Sequence, residues 1–314
     1  MAPPYDPLRS PFDAPLLTLD LALDLARPLT FGRVAGHSLA TATRGAFDRA
    51  LLTTACAALP DVSCPRDGAP CARPDACVIP WLHKPAAAAQ RRTHPSPAVL
   101  HAAPTDDPRR VALSVALFGR HAVDAVENVL AALHLAAAWG VRDDEGAVRF
   151  ALRGDVRDAR TLAERAASLR DEAPPGARWS LEFVDPCAAE APELAALAGN
   201  AAHDLVQWDL HDRGDDEALG KRGCDALADL ARAAAQAAWG AVEVTIETLS
   251  ADTWGPRRSR SNAGRFALEG FRGTVRLEGA VREALPWIVP WTLRGLGGRT
   301  AWGMGVVRLT WSAP

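Results

Sequence analysis

Leucines at 17, 19, 21, 23 and 25 alternate with Thr18, Asp20, Ala22 and Asp24. A strict period of two puts one set of side chains on each face of a strand, so 16–26 is predicted to be half-buried β structure. After a loop carrying Gly36-His37-Ser38, a helix is expected to run to about Cys56, with Phe47 and Leu51 one turn apart on its buried side. Alternation returns at 110–118 through Val111, Leu113, Val115 and Leu117. At 121–138 the spacing lengthens to that of a helix: Val123, Val126, Leu130 and Leu133 mark the apolar face and Asp124, Glu127 and Asn128 the wet one. Val148, Phe150 and Leu152 then give a strand at 147–153.

The same alternation of types follows a second time. Trp179, Leu181 and Phe183 mark a strand. Leu194, Leu197, Ala201, Leu205 and Trp208 mark a helix, and Leu227 and Leu230 belong to another. Strands are expected at Val242–Ile246 and 264–278, a helix at 281–293 and a last strand at 304–311. Each half thus reads strand, helix, strand, strand, helix, strand, the order of a ferredoxin-like, RRM-like unit. The fold class expected is α+β, with two tandem ferredoxin-like domains and a Cys/Pro-rich insertion in the first. Residues 1–155 form the first domain, with an irregular insertion at 57–108 that includes a short strand near 97–101. Residues 156–177 form a linker ending in Pro174-Pro175-Gly176, and residues 178–314 the second domain.

The chain's 314 residues allow two cores, and 48% of them are apolar. The net charge of -3 places any nucleic-acid site in a local basic patch rather than a global field. The start, MAPPYDP, shows no basic segment before an apolar run, so no secretory leader is expected. The most apolar helical stretch contains Asp124, Glu127, Asn128 and His134, which argues against a membrane span. A cytoplasmic location follows as the expectation, with the six cysteines as thiols or metal ligands. Cys56, Cys64, Cys71 and Cys77 fall within 22 residues. Four thiolates suit a structural zinc that orders a segment with little core of its own. No Cys-x-x-Cys pair is present, and packed or free thiols are the alternative.

Between a predicted helix and the last strand lies Gly295-Leu296-Gly297-Gly298-Arg299-Thr300-Ala301-Trp302-Gly303-Met304-Gly305, five glycines in eleven residues. Glycine lets a backbone approach phosphate closely and present its N–H groups. Arg294 and Arg299 add charge. Neither a Walker loop nor a dinucleotide fingerprint fits, because no Lys-Ser or Lys-Thr follows and the context is not strand–turn–helix. A tight connection into a buried strand is the structural alternative. Arg257, Arg258, Arg260 and Arg265 form the densest basic cluster, suited to phosphate contacts or to a solvated hairpin end.

Four segments together resemble the RAMP superfamily of CRISPR proteins. The glycine loop is similar to its signature. Leu117-Phe118-Gly119-Arg120-His121-Ala122 resembles its Leu-Phe-Gly segment, and Thr43-Arg44-Gly45-Ala46-Phe47 its Leu-Arg-Gly-Ala segment. Arg258-Ser259-Arg260-Ser261-Asn262, with Gly270-Phe271-Arg272-Gly273 after it, resembles the Arg-Tyr-Ser-x-Arg-Gln segment but lacks its tyrosine and glutamine. The resemblance implies a CRISPR repeat RNA, often a hairpin, as ligand. It implies a metal-independent endoribonuclease that matures precursor transcripts, with no cofactor for catalysis. The alternative within the same family is a non-catalytic, guide-RNA-binding subunit of a CRISPR effector complex, and other such subunits are expected partners in either case. A small-molecule enzyme on this fold has no nucleotide motif or carboxylate pair to support it.

Such cleavage needs a base on the ribose 2′-hydroxyl, an acid on the leaving 5′ oxygen and a cation at the crowded phosphorus. Among eight histidines, His37 ranks first, at the start of the first helix with Arg33 and Arg44 near it in sequence. His83 beside Lys84 ranks second and His94 third, and His101 has no rank. Arg33, Arg257, Arg258, Arg260, Arg265, Arg294, Gly295, Gly297, Gly298, Arg299, Trp302, Gly303 and Gly305 are the expected RNA contacts. Of the ten tryptophans, Trp179, Trp208 and Trp311 are expected in cores, which leaves Trp302 as the one suited to stacking on a base.

Overall fold

The computed structural model describes residues 5–31, 39–55, 78–82, 86–87, 92–93, 97–187, 193–258, 265–296 and 305–314. The chain divides into two units, residues 17–158 and residues 159–314 together with the chain up to Leu16.

The first unit begins with β1 (Leu16–Leu25) and α1 (Leu39–Ala55). A single turn, α2 (Ile79–Leu82), and a two-residue ladder, β2 (Ala86–Ala87) with β3 (Arg92–Thr93), come next. They are followed by β4 (Ala98–Pro104), β5 (Arg110–Phe118), α3 (Arg120–Asp124) and α4 (Val126–Trp139). A second small ladder, β6 (Val141–Arg142) with β7 (Ala147–Val148), precedes β8 (Phe150–Asp158). The main sheet has the order β4-β5-β1-β8. With α1 after the first strand and α4 after the third, this is the ferredoxin-like topology. The six leucines of β1 are all buried, and Leu19 and Leu23 meet Phe47, Leu51, Leu113, Val115, Val129 and Leu133 in one core. The other face of β1 carries Thr18, Asp20, Ala22 and Asp24. Gly119, at φ +87, opens the helical segment and Ala125 divides it in two, where the sequence predicts one helix.

The second unit contains α5 (Leu162–Glu172) in the stretch read as a linker. The side chain of Thr161 accepts from the Glu164 N–H, and the Glu164 carboxylate accepts from the Thr161 N–H, a reciprocal cap that starts this helix amid charged residues. The elements that follow are β9 (Arg178–Cys187), α6 (Leu194–Arg213), α7 (Asp215–Gly240), β10 (Val242–Arg258), β11 (Arg265–Gly279), α8 (Val281–Arg294) and β12 (Val307–Ser312). Their antiparallel sheet, β10-β11-β9-β12, repeats the topology of the first, with a helix pair in place of the first helix. Trp179, Leu181, Phe183, Val275, Leu277 and Val307 line its buried face. In α7 the buried stripe is Cys224, Ala228, Ala231, Ala235 and Trp239, while Leu230 is exposed. Trp208 is buried as expected, but Trp311 lies on the final strand with 37% of its surface exposed. The N-terminal residues join this unit: Phe12 meets the Trp287 ring edge-on at 4.8 Å, and the Arg213 guanidinium lies 5.4 Å from the centre of the Tyr5 ring.

Candidate nucleic-acid interface

The two described ends of the glycine-rich segment, Gly295-Leu296 and Gly305, meet in a narrow neck. Helix α8 stops at Gly295, whose φ of +81 few other residues adopt. The buried Leu296 then donates its N–H to the Gly305 carbonyl at 2.8 Å, and its own carbonyl accepts from Cys187 Sγ at 3.3 Å. Gly305 has φ +74, and a Cβ there would lie 1.9 Å from the Leu296 oxygen. Only glycine closes this neck. Residues 297–304 connect its two sides.

The neck sits at the Cys187 end of β9. Val184 donates to the Val306 carbonyl at 2.9 Å, and β12 begins beside Phe183. Strand β11 meets β9 from Phe271, paired with Cys187, to Leu277. Beyond Phe271 the strands β10 and β11 continue together from Asp252↔Gly270 to Arg258↔Arg265, and among the described residues no third strand pairs with them. A ladder of six further residues reaches about 20 Å. Register therefore places Arg257, Arg258 and Arg265 on a two-stranded arm that projects from the end of the sheet holding the neck. A ribbon carrying three arginines beside the glycine-closed neck is an arrangement that suits a phosphodiester chain. Cys187, beneath the neck, was not singled out by its sequence context; burial pushes its thiol up to about 12, so it serves as a packed hydrogen-bond donor.

Two other predicted positions are engaged within the fold. Arg44 is buried, with Nη1 donating to the Ala98 carbonyl at 2.6 Å and Nε 2.8 Å from Asp48. Arg294 bonds the Ala201 carbonyl at 3.1 Å and Asp204 at 2.9 Å. Neither guanidinium is presented to solvent as a free cation. His37, Arg33, His83, Lys84, Arg260, Gly297, Gly298, Arg299, Trp302 and Gly303 lie outside the described residues, as do His94 and the four clustered cysteines. Among the described residues no group of three or more His, Cys, Asp or Glu side chains could hold a metal ion.

Three of the described histidines, His101, His203 and His211, are engaged within the fold. Burial holds the His101 imidazole down to about 4, so it is neutral near pH 7. His203 lies within 4 Å of Asp204 and Asp229, and His211 Nδ1 is 3.0 Å from Asp216.

A buried carboxylate anchors the chain after β1 in the first unit. Asp143 has a fully buried carboxylate that accepts from Arg27 Nη1 at 2.6 Å, Arg27 Nη2 at 2.9 Å, and the N–H groups of Thr30, Glu145 and Gly146 at 2.9–3.0 Å. Asp144 donates in return to the Thr30 carbonyl. The clamp fixes the chain leaving β1. Asp143-x-x-Gly146 is a legible side-chain-capped turn, but its partner 116 residues away is not.

No family model matches the sequence, and no curated protein matches it. Solved structures that align along it include Cas6 proteins. A Cas6 product complex aligns over 95% of this chain and 100% of its own, at 18% identity and a TM-score of 0.48. Cas6 of Thermus thermophilus aligns over 95% and 98%, at 16% identity and a TM-score of 0.43. The product of a Cas6-related gene from Pyrococcus furiosus aligns over 93% and 98%, at 8% identity and a TM-score of 0.42. Likeness at this level does not assign an activity. No helix among the described residues is long and apolar enough to cross a membrane.

Proposed function

We propose that this chain binds CRISPR repeat RNA and cuts the precursor transcript without a metal ion. The observation that supports this most is the convergence, at one end of the second sheet, of the glycine-closed neck and the arm bearing Arg257, Arg258 and Arg265. The four segments resembling RAMP proteins name the RNA. The amides of 297–305 and the arm's arginines hold its backbone, and Trp302 stacks on a base. His37 is the acid or base. In the reaction a base takes the proton of the 2′-hydroxyl, O2′ bonds to phosphorus and the P–O5′ bond breaks. An acid returns a proton to O5′, leaving a 2′,3′-cyclic phosphate and a 5′-hydroxyl. Lys84 with His83 is the second source of a cation and an acid. A zinc ion on Cys56, Cys64, Cys71 and Cys77 belongs to the same proposal as a structural element, at one metal per chain.

The test is cleavage of the cognate repeat RNA in excess chelator, with His37→Ala alongside. The parent chain is expected to cut, and the variant to cut about 10²–10⁴-fold more slowly, the usual worth of an acid or base. A requirement for added metal would overturn the mechanism. Undiminished cutting by the variant would remove His37. Tight binding with no cutting would identify a guide-RNA-binding subunit instead.

A further inference from the structure

The open face of the first unit's sheet carries a pocket lined by Arg110, Arg153, Asp20 and Asp24 that the neck and arm do not use. Asp24 points out of β1 and receives two guanidinium groups, Arg110 Nε at 3.0 Å on one oxygen and Arg153 Nε at 3.2 Å on the other. These arginines come from β5 and β8, the strands on either side of β1. Both are well exposed, at 54% and 71% of their side chains. Each engages Asp24 through Nε, and no other bond is formed by either side chain among the described residues. The Nη1–Nη2 edge of each is therefore left without a partner among the described residues. Such an edge binds a phosphate through two parallel hydrogen bonds.

The surroundings favour an anion. Arg109 and Arg149 are exposed and flank the same end of β1, their carbonyls accepting from the N–H groups of Leu25 and Ala26. Against Asp24 at this end stand Arg109, Arg110, Arg149 and Arg153, with Asp107 accepting from the Arg109 N–H at 2.8 Å. The pairing of β1 with β8 shifts register between Asp20 and Ala22, opposite Gly154 at φ +73. A bulge of this kind re-aims side chains, and here it opens a pocket of about 620 Å³ bounded by Asp20, Asp24, Arg110, Arg153 and Gly154. Asp20 stands four residues along the strand, about 13 Å away, and its charge limits the anion site to the Arg110–Arg153 end.

We infer that Arg110 and Arg153 form a phosphodiester-binding subsite for an unpaired stretch of RNA, with Asp24 as the positioning residue that holds the two forks parallel. The inference rests on RNA being the ligand, but not on cleavage. A free phosphate would satisfy the same chemistry, and the two sources separate by experiment.

The probe is an unstructured oligoribonucleotide of scrambled sequence, titrated at several salt concentrations with the full chain and with Arg110→Gln/Arg153→Gln. Two lost phosphate contacts on a single strand lower the slope of log affinity against log salt by about 1.4. Arg157→Gln removes one charge from the same strand at a residue already 3.5 Å from Glu127 and is expected to leave the slope unchanged. Equal slopes for parent and double variant would overturn the subsite. Calorimetry with inorganic phosphate adds the other arm: tight phosphate binding lost in the double variant, with RNA affinity unaltered, would overturn RNA as the occupant. Absence of repeat cleavage with an intact slope difference would count against the proposed activity alone.

Discussion

Two buried carboxylates respond to pH in opposite directions. Hydrogen bonding from Arg27, opposed by burial and aided by backbone N–H groups, holds Asp143 well below the usual carboxylate range. Its folded pKa lies under the unfolded value of about 3.9, so its stabilisation is complete above about pH 4 and is lost as pH falls through the folded value. Asp209 is the reverse: burial beside Tyr5 pushes it up to about 6. The folded chain then binds an extra proton between about pH 4 and 6, so stability declines as pH rises through that window. Asp143→Asn is expected to melt below the parent at pH 7, the gap closing below pH 4. Asp209→Asn is expected to gain relative to the parent at pH 7 and to gain nothing at pH 4. Melting curves at pH 3, 4, 5 and 7 check both, and parallel curves at every pH would refute the two assignments. The sequence could not reveal this pair of behaviours. Asp143 and Asp209 each sit among other acids, and only the fold decides which one is enclosed and with whom.

At the scale of elements, the neck makes a sharp demand at Gly305. A side chain there must tolerate a left-handed conformation, costing about 1–2 kcal/mol, and must displace the Leu296 carbonyl it would overlap. Gly305→Ala is expected to weaken repeat RNA binding and lower the melting temperature. Gly45→Ala, on an exposed position of α1 where a Cβ meets nothing, is expected to be neutral or to gain about 0.8–1 kcal/mol in helix propensity. Comparable binding by the two variants would remove the neck from the interface. The unusual glycine content pointed to the neck at Gly295 and Gly305, and β1 was legible because a period of two has one physical interpretation. Helix α5 was missed: its charged residues read as a linker, although Thr161-x-x-Glu164 carries the cap signature. The stripe of α7 was hidden for another reason. Alanines at 228, 231 and 235 bury the helix while the larger Leu230 faces water, so a scan for bulky residues finds the wrong side.

For the whole molecule, the two-fold repetition of strand and helix order predicted two ferredoxin-like sheets, and both are present. The partition of the chain was less legible. Periodicity shows where elements lie but not which unit a short N-terminal stretch adheres to. Phe12 is buried against Trp287 of α8, and Tyr5 lies in the cluster of Asp209 and Arg213 on α6. Phe12→Ala is thus expected to cost about 3–5 kcal/mol in the unit formed by 159–314. Hydrogen exchange should show protection lost in α6 and α8 and kept in β1, β5 and α4. Loss confined to 17–158 would reverse the partition.

Gly273 has a consequence for how faithfully the ribbon is aligned. A methyl group on it would lie 2.0 Å from the Thr248 carbonyl, beside the irregularity where β10 steps past β11. Because neighbouring residues of a strand face opposite ways, a slip of one position would exchange the two faces of the ladder from there to the next irregularity, between Trp254 and Arg257. One bare α-carbon at the root of the ribbon therefore acts as an indexing notch for the pairing from Thr248 to Trp254.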